Sequence, residues 1–231
     1  MPKNLANIRA YTTVLGIAII VIGLIMMLTF PVKANLPEGF ITPIIAFEFA
    51  KTEQDLSYLS GASETQRLNR EKMNAGLKWD MAFPFVYGGF LLLLLIQQVI
   101  SGRRIAWLGI PFAALIIPFD INENLRLLDI ISALNRAETT SDILPVLHTA
   151  TWLKWGAIGL AIGVFSITLV RDKSIWLALL AAATSLSIAG CWVTNSNPYL
   201  AEGMTGMLSL FFVIFVLREC VYLRRASRSA A

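Results

Sequence analysis

Charged side chains, histidine and cysteine are scarce in this sequence. Only 15% of its 231 residues are charged, one is a histidine and two are cysteines. The single His148 argues against a serine–histidine–aspartate triad and leaves no His/Cys spacing of the kind that binds a metal. Two cysteines provide no disulfide framework. A glycine-rich phosphate loop, a His-Glu-x-x-His pair and a nucleophile elbow are also missing. The sequence therefore carries no motif that is diagnostic of a particular reaction, and we expect no cofactor.

Apolar residues, in contrast, make up 56% of the chain and fall into uncharged blocks. The blocks are roughly 15–20 residues long, about the length that an α-helix needs to cross a ~30 Å hydrocarbon core. They lack the period-two alternation of a β-barrel strand. The pattern predicts an all-α, polytopic membrane helical bundle in which residues 1–231 form a single membrane domain. Six transmembrane helices are predicted near 11–32, 80–100, 105–124, 152–170, 175–195 and 203–218.

Positive charge is concentrated on one side of the predicted membrane. Lys3, Arg103 and Arg171 lie on that side, whereas the connection 195–203 contains no lysine or arginine. Because cytoplasmic loops are enriched in these residues, we expect both termini in the cytoplasm. The basic stretch 218–228 is interpreted as an anchor on anionic lipid rather than as a nucleic-acid site. The expected partner is the lipid bilayer, and no nucleic acid is expected.

The first apolar block permits a second interpretation, as a cleaved signal peptide. It follows basic residues, and Val32-Lys33-Ala34 resembles a cleavage site. The apolar stretch 13–30 is, however, longer than the ~7–15 residues usual in the hydrophobic region of a signal peptide. We therefore expect a retained membrane helix.

An external segment, residues 33–78, is predicted between the first two membrane helices. Over 40–59, a helical wheel places apolar residues on one arc, which predicts an amphipathic helix on the outer membrane surface or against the bundle. Glu48 lies in the middle of that arc, where a carboxylate needs a partner or must be neutral. Ser63 and Gln66 have the spacing of a capping box, which predicts the start of a polar helix running towards the second membrane helix.

Ionisable residues on several predicted helices lie at a similar depth. The depth follows from counting ~1.5 Å per residue from the cytoplasmic ends of the helices. Since lipid-facing charge is costly, these groups should face inward and pair. Lys154 is the only cation at this level, so Asp120 and Glu202 are its predicted partners. The layer consists of Asp120, Glu123, Lys154 and Glu202, with Asp80 at its rim.

These residues predict an outward-opening ligand pocket between the second, third and fourth membrane helices. Asp120, Glu123 and Asn124 are spaced i, i+3 and i+4, so they share one face of a helix. Tyr87 shares a face with Asp80 and would offer its hydroxyl to the ligand that the carboxylates hold. The external helix with Glu48 would close over the pocket. The predicted ligand-binding residues are Glu48, Asp80, Tyr87, Asp120, Glu123, Asn124 and Lys154.

Three functions fit this pattern. The first is a protein that binds or transports a small cation, an amine or an amphiphile with a polar head, because the pocket has an excess of acidic groups. The second is an intramembrane enzyme that acts on a lipid or an isoprenoid with a carboxylate as acid or base. The third is a structural or accessory subunit in which pairs such as Asp120–Lys154 only hold the helices together.

Four short motifs stand out between residues 40 and 165. They are Phe47-Glu48-Phe49-Ala50, Trp79-Asp80-x-x-Phe83 continuing to Tyr87, Asp120-x-x-Glu123-Asn124, and the later Lys154. In these motifs the chain resembles a family of bacterial multispan proteins without an assigned activity. The resemblance implies a multi-pass protein of the bacterial inner (cytoplasmic) membrane and adds no substrate. Members of that family have four helices, so the last two predicted helices and Glu202 depart from its pattern.

Overall fold

The structure is a computed structural model that describes residues 3–32 and 34–228, and within these ranges the chain is helical with no β-strand. Short 3₁₀ turns at Glu53–Leu56 and Arg104–Leu108 interrupt the α-helices. The α-helices are α1 (Lys3–Thr29), α2 (Pro43–Glu48), α3 (Glu64–Asp80), α4 (Phe83–Ile100), α5 (Ile110–Asn135), α6 (Leu144–Arg171), α7 (Ile175–Val193) and α8 (Pro198–Arg228).

Six helical stretches in the described ranges are long and apolar enough to cross a membrane. They confirm the prediction of an all-α membrane bundle, and the chain is an integral membrane protein. Helices α3 and α4 form one of these stretches, interrupted only by a turn at Met81 and Ala82. The six are Leu5–Thr29, Glu64–Ile100, Arg104–Asn135, Leu144–Arg171, Ile175–Val193 and Pro198–Arg225.

The apolar helices form a closed ring in the order α1, α4, α5, α6, α7, α8 and back to α1. Phenylalanine side chains from α4, α6 and α8 fill part of its interior, for example Phe165, whose ring centroid lies 5.2 Å from that of Phe215. Gly159 and Gly163 of α6 both face α7 and allow the two helices to pack closely. The hydroxyl of Ser185 donates a 2.8 Å hydrogen bond to the carbonyl of Gly159.

Several helices extend beyond the predicted hydrophobic spans. Helix α5 continues to Asn135 and α6 already begins at Leu144. These extensions pack with α3 and with residues 47–59 into a second apolar cluster beyond one end of the ring. We call residues 34–63 the cap, and the end of the ring beside it the cap end. The opposite end of the ring, where α1 begins and α8 ends, is the terminal end. The buried residues of the extensions are Leu127, Ile130, Ile131, Leu144 and Leu147.

The prediction of one amphipathic helix over 40–59 was wrong. The cap contains only the six-residue α2 and a 3₁₀ turn, because the chain folds back on itself. The hydroxyl of Tyr58 donates to the carbonyl of Pro43 at 3.0 Å, and a continuous helix would hold these residues far apart. The carboxylate of Asp55 accepts hydrogen bonds from the backbone N–H groups of Lys51 and Thr52 and so starts the 3₁₀ turn.

The predicted capping box at the start of α3 is confirmed. The N–H of Gln66 donates to the Ser63 hydroxyl, and the N–H of Ser63 donates to the Gln66 side chain. The buried guanidinium of Arg70, on the same helix, donates to carbonyls of the cap and, at 2.7 Å, to the side chain of Asn135 on α5. These bonds fasten the cap to α3 and α5, which holds α2 against the ring.

Two smaller predictions concern Lys33 and the cysteines. Lys33, the middle residue of the predicted signal-peptide cleavage site, lies outside the described residues. Cys191 and Cys220 are both free thiols, as two cysteines on different helices predicted.

Candidate functional site

Lys154, on α6, lies at the centre of a buried ionic cluster at the cap end. Its Nζ is 2.9 Å from Oε2 of Glu48 on α2 and directly contacts Oε2 of Glu123 on α5. The side chains of Lys154 and Glu48 are each 6% exposed, and that of Glu123 is fully buried. One ammonium therefore joins two carboxylates from two other helices. The predicted pairing of Lys154 with Asp120 and Glu202 was wrong.

Glu202 lies away from this cluster. Its carboxylate accepts hydrogen bonds from the backbone N–H groups of Ile41 at 3.0 Å and Thr42 at 2.8 Å, and from the Thr42 hydroxyl at 2.7 Å. Counting residues along α8 gave the depth of Glu202 without its direction, and the helix turns it towards the chain that enters α2. Glu202 thus fastens the cap to α8.

Glu48 is also held by two α6 residues that the sequence analysis did not assign to the site. The indole N–H of Trp155 donates to Glu48 Oε2 at 3.1 Å, and the Thr151 hydroxyl donates to the Glu48 carbonyl at 3.1 Å. A tryptophan near the end of a membrane helix is by default interpreted as an interfacial residue. Their spacing from Lys154 could have assigned them to the site. Thr151, Lys154 and Trp155 are spaced i, i+3 and i+4, so they share one face of α6.

Asp120, Asn124 and Tyr87 form a second polar group beside the first. The Tyr87 hydroxyl, which was predicted to contact a ligand held by the carboxylates, donates to Asp120 Oδ2 at 2.5 Å. The Asn124 amide donates to Asp120 Oδ1 at 3.3 Å and to the backbone carbonyl of Asp80 at 3.2 Å. Asn124 therefore positions both the Asp120 carboxylate and the end of α3. The structure brings all seven predicted site residues together at this end of the ring.

A cavity of about 540 Å³ adjoins these groups. The pocket was predicted between the second, third and fourth membrane helices, and these helices do supply its polar wall. Its apolar wall comes mainly from α1, α2 and α8, together with Phe83 of α4 and with Trp155 and Ile158 of α6. Hydropathy alone did not reveal that α1 and α8 are neighbours in the ring. Glu123 and Asn124 lie behind the wall and do not line the cavity. The polar lining consists mainly of Glu48, Asp80, Tyr87, Asp120 and Lys154.

The cavity reaches the outer surface of the ring between α1 and α8. Near the terminal end these helices touch, since a Cβ added at Gly16 would lie 2.7 Å from a methyl carbon of Val216. Towards the cap end they separate, and a Cβ added at Gly23 would meet no atom within 4 Å. Leu24 and Val213 line the cavity and are 53% and 42% exposed at the surface. The gap between α1 and α8 therefore opens sideways, where lipid would surround the ring.

The charges at the cavity are not balanced by the protein itself. Lys154 is engaged by Glu48 and Glu123, while Asp120 receives hydrogen bonds only from the neutral donors Tyr87 and Asn124. The carboxylate of Asp80 lines the cavity and has no hydrogen bond or ion pair with any residue of 3–32 or 34–228. The wall therefore presents acceptors and an excess of acidic groups.

Metal and histidine chemistry receive no support from the described part of the chain. No three His, Cys, Asp or Glu side chains within it are grouped as a metal site. His148 does not line the cavity, and its ring packs edge-on against Trp152 with centroids 6.5 Å apart. The carboxylates, Tyr87 and Lys154 are thus the groups available for binding or proton transfer at the cavity.

Comparisons with family models, with curated proteins and with solved structures find no match to this chain. The function is therefore argued from the geometry of the cavity.

Proposed function

We propose that this membrane protein binds an amphiphile whose cationic head, such as a protonated amine, lies against Asp80 and Asp120. The observation that carries the proposal is the Asp80 carboxylate, which lines the cavity without a hydrogen bond or ion pair to any described residue. The cavity volume of about 540 Å³ falls in the usual range of small-molecule sites, about 300–1,000 Å³.

Electrostatics supports a cationic head. A buried carboxylate without a partner is costly, and an opposite charge attracts it more strongly in a low-dielectric site than in water. Lys154 is already shared by Glu48 and Glu123, so it is not free to neutralise Asp80. An ammonium group has three N–H donors and no acceptor, which matches a wall of carboxylate oxygens.

The remaining wall supports an apolar tail. Leu24 and Met27 on α1 and Phe212 and Val213 on α8 line the cavity up to the gap between the two helices. Burying apolar surface there contributes about 25 cal/mol per Å² removed from water. A tail leaving through the gap would continue into the surrounding lipid. The ligand could then enter from the membrane without passing the cap.

The direction of the opening is part of the proposal. Basic residues accumulate at the terminal end, and cytoplasmic loops are enriched in such residues. This charge distribution supports a cytoplasmic terminal end and an external cap. The cavity would then face the outer leaflet of the membrane, consistent with binding or with one step of transport.

The test is thermal unfolding of the purified protein in a neutral detergent with added decylammonium. Decanol serves as the uncharged ligand of equal chain length. We expect decylammonium to stabilise the wild type and Asp142→Asn, a control at an exposed aspartate outside the cavity. In Asp80→Asn the affinity should fall about tenfold or more, because a charge-assisted contact is lost. Equal stabilisation of Asp80→Asn and wild type would refute the proposal.

A second candidate is an intramembrane enzyme, favoured by the hydrogen bond between Tyr87 and Asp120. A hydroxyl paired with one carboxylate, beside another carboxylate on the same cavity wall, is an arrangement suited to general acid–base chemistry on an apolar substrate. Comparison of membrane lipids from cells with and without the gene tests it. An enzyme requires a lipid change that wild type restores and that both Tyr87→Phe and Asp80→Asn fail to restore.

A further inference from the structure

A second cavity, of about 380 Å³, lies at the terminal end, on the opposite side of the ring from the first. Its lining includes two glutamines of α4, Ser101 after α4 and Ser174 before α7, and it is rich in cations. Among the described residues, Asp172 is the single acidic residue that lines it. The cationic lining residues are Arg9, Arg103, Arg171, Lys173 and Arg218.

Arg9 and Arg218 are held in place by groups around them. Their guanidinium carbons lie 4.1 and 5.1 Å from the ring centroid of Tyr222, which also lines the cavity. Behind them lies the fully buried Glu219, 3.8 Å from Arg9 and 3.4 Å from Arg218. The arginine side chains are only 14% and 13% exposed. Basic residues that only set the orientation of a protein in the membrane can remain exposed to water. The burial of Arg9 and Arg218 therefore indicates a further role.

The protein supplies too few acceptors for these cations. Arg103 pairs with Asp172 at 2.7 Å, and Glu219 is shared between Arg9 and Arg218. Arg171 and Lys173 form no ion pair with the residues that the structure describes. The Nε and Nη1 atoms of Arg9 and the Nε atom of Arg218 are buried and have no hydrogen-bond partner in the same part of the chain. Buried donors of this kind are uncommon unless a ligand or ordered water satisfies them.

We infer that this cavity binds a phosphate group. Guanidinium groups donate paired N–H bonds that match phosphate oxygens, and an anion between Arg9 and Arg218 would offset their mutual repulsion. All six apolar helical stretches have an end near this level, which is where phospholipid headgroups lie. The phosphate can therefore belong to the headgroup of an anionic lipid or to a soluble phosphate compound. This site is independent of the function proposed for the first cavity.

The test compares two double variants that each remove two positive charges. Arg171→Gln/Lys173→Gln alters exposed residues that line the cavity and leaves Arg9, Arg218 and Glu219 intact. The control, Arg104→Gln/Arg225→Gln, alters exposed residues of the terminal end that do not line it. Unfolding is measured in neutral detergent with inorganic pyrophosphate, and lipid retention is measured in phosphatidylcholine nanodiscs with and without phosphatidylglycerol.

Stabilisation by pyrophosphate would identify a soluble phosphate compound as a sufficient ligand. Retention of phosphatidylglycerol without any effect of pyrophosphate would identify a lipid headgroup. In either arm we expect the lining variant to bind about tenfold more weakly than wild type and the control to bind like wild type. Absence of binding in both arms would overturn the inference. Equal losses in the two variants would also overturn it, because they would show attraction to diffuse surface charge.

Discussion

The two ends of the bundle hold buried charges of opposite sign in similar arrangements. In the ionic cluster at the cap end, Lys154 is the one cation of the described chain that lies among Glu48, Asp80, Asp120 and Glu123, and Asp80 forms no ion pair with the described residues. At the terminal end, the buried Glu219 lies among arginines, and basic groups line the cavity. In both places groups of the opposite charge stabilise the cluster without neutralising it. This difference in sign is the basis of the two proposals, a cationic ligand at the cap end and an anionic ligand at the terminal end.

The largest effect should follow from Lys154→Ala. The substitution leaves Glu48 and Glu123 buried without a cation, which typically costs about 3–5 kcal/mol. Equilibrium unfolding in detergent measures the free energy of unfolding of the variant. The matched control is Lys78→Ala, which removes an exposed lysine from the last turn of α3. If both variants lost the same stability, Lys154 would not be the structural centre of the cap end.

Glu219→Gln makes the equivalent change at the terminal end and should have a smaller effect. Its contacts with Arg9 and Arg218 are longer than those of Lys154, at 3.8 and 3.4 Å. We expect a loss of about 1–3 kcal/mol, the usual effect of leaving buried donors unsatisfied. Glu71→Gln on the exposed face of α3 is the control, measured by the same unfolding experiment. If Glu219→Gln lost as much stability as Lys154→Ala, the buried ionic clusters at the two ends would contribute equally to the free energy of unfolding, contrary to this prediction.

Gly23→Leu should separate binding from stability at the cap end. A side chain at Gly23 enters open space in the cavity, so the protein should fold normally while the affinity for decylammonium falls about tenfold. The control is Gly206→Leu on α8, where a Cβ also meets nothing within 4 Å but which does not line the cavity. Calorimetric titration measures both affinities. Unchanged binding in Gly23→Leu would exclude the gap between α1 and α8 as the position of the tail.

The smallest effect concerns Glu53, an exposed carboxylate of the cap. Hydrogen bonds from the Thr139 hydroxyl and the Thr140 N–H, each 2.7 Å, hold the pKa of Glu53 below its usual value. Since the folded pKa is lowered, this stabilisation is present above the ordinary glutamate pKa and is lost as the pH falls through the lowered pKa. Unfolding measured between neutral and acidic pH should show this loss in the wild type. Glu53→Gln should lack that part of the pH dependence, and identical curves would show that Glu53 does not contribute.

The sequence predicted the fold class and several members of the polar cluster, but not its pairing. Charged residues inside apolar spans have to face inward, which is why Asp120, Glu123 and Lys154 could be expected to meet. Glu48 was expected to close over them from the external segment. Depth along a helix does not determine its rotation, so Glu202 was wrongly assigned to Lys154. Trp155 was missed because tryptophan near a helix end is also typical of the membrane interface.

The apolar half of the cavity could not be predicted from the sequence. Leu24 and Val213 resemble any other lipid-facing residues, and only the separation of α1 from α8 makes them part of a binding site. The cap was mispredicted for a related reason. A helical wheel over 40–59 describes one continuous helix, whereas tertiary bonds such as that from Tyr58 to Pro43 favour a folded-back chain.

The most direct test of the cation-binding cavity is the position of a bound ligand. A crystal structure with a tail-brominated alkylammonium would locate the bromine by anomalous scattering and the nitrogen by its density. We expect the nitrogen about 3 Å from a carboxylate oxygen of Asp80 and the bromine between Leu24 and Val213. A ligand found elsewhere on the protein, with the cavity beside Asp80 empty, would contradict the proposed function.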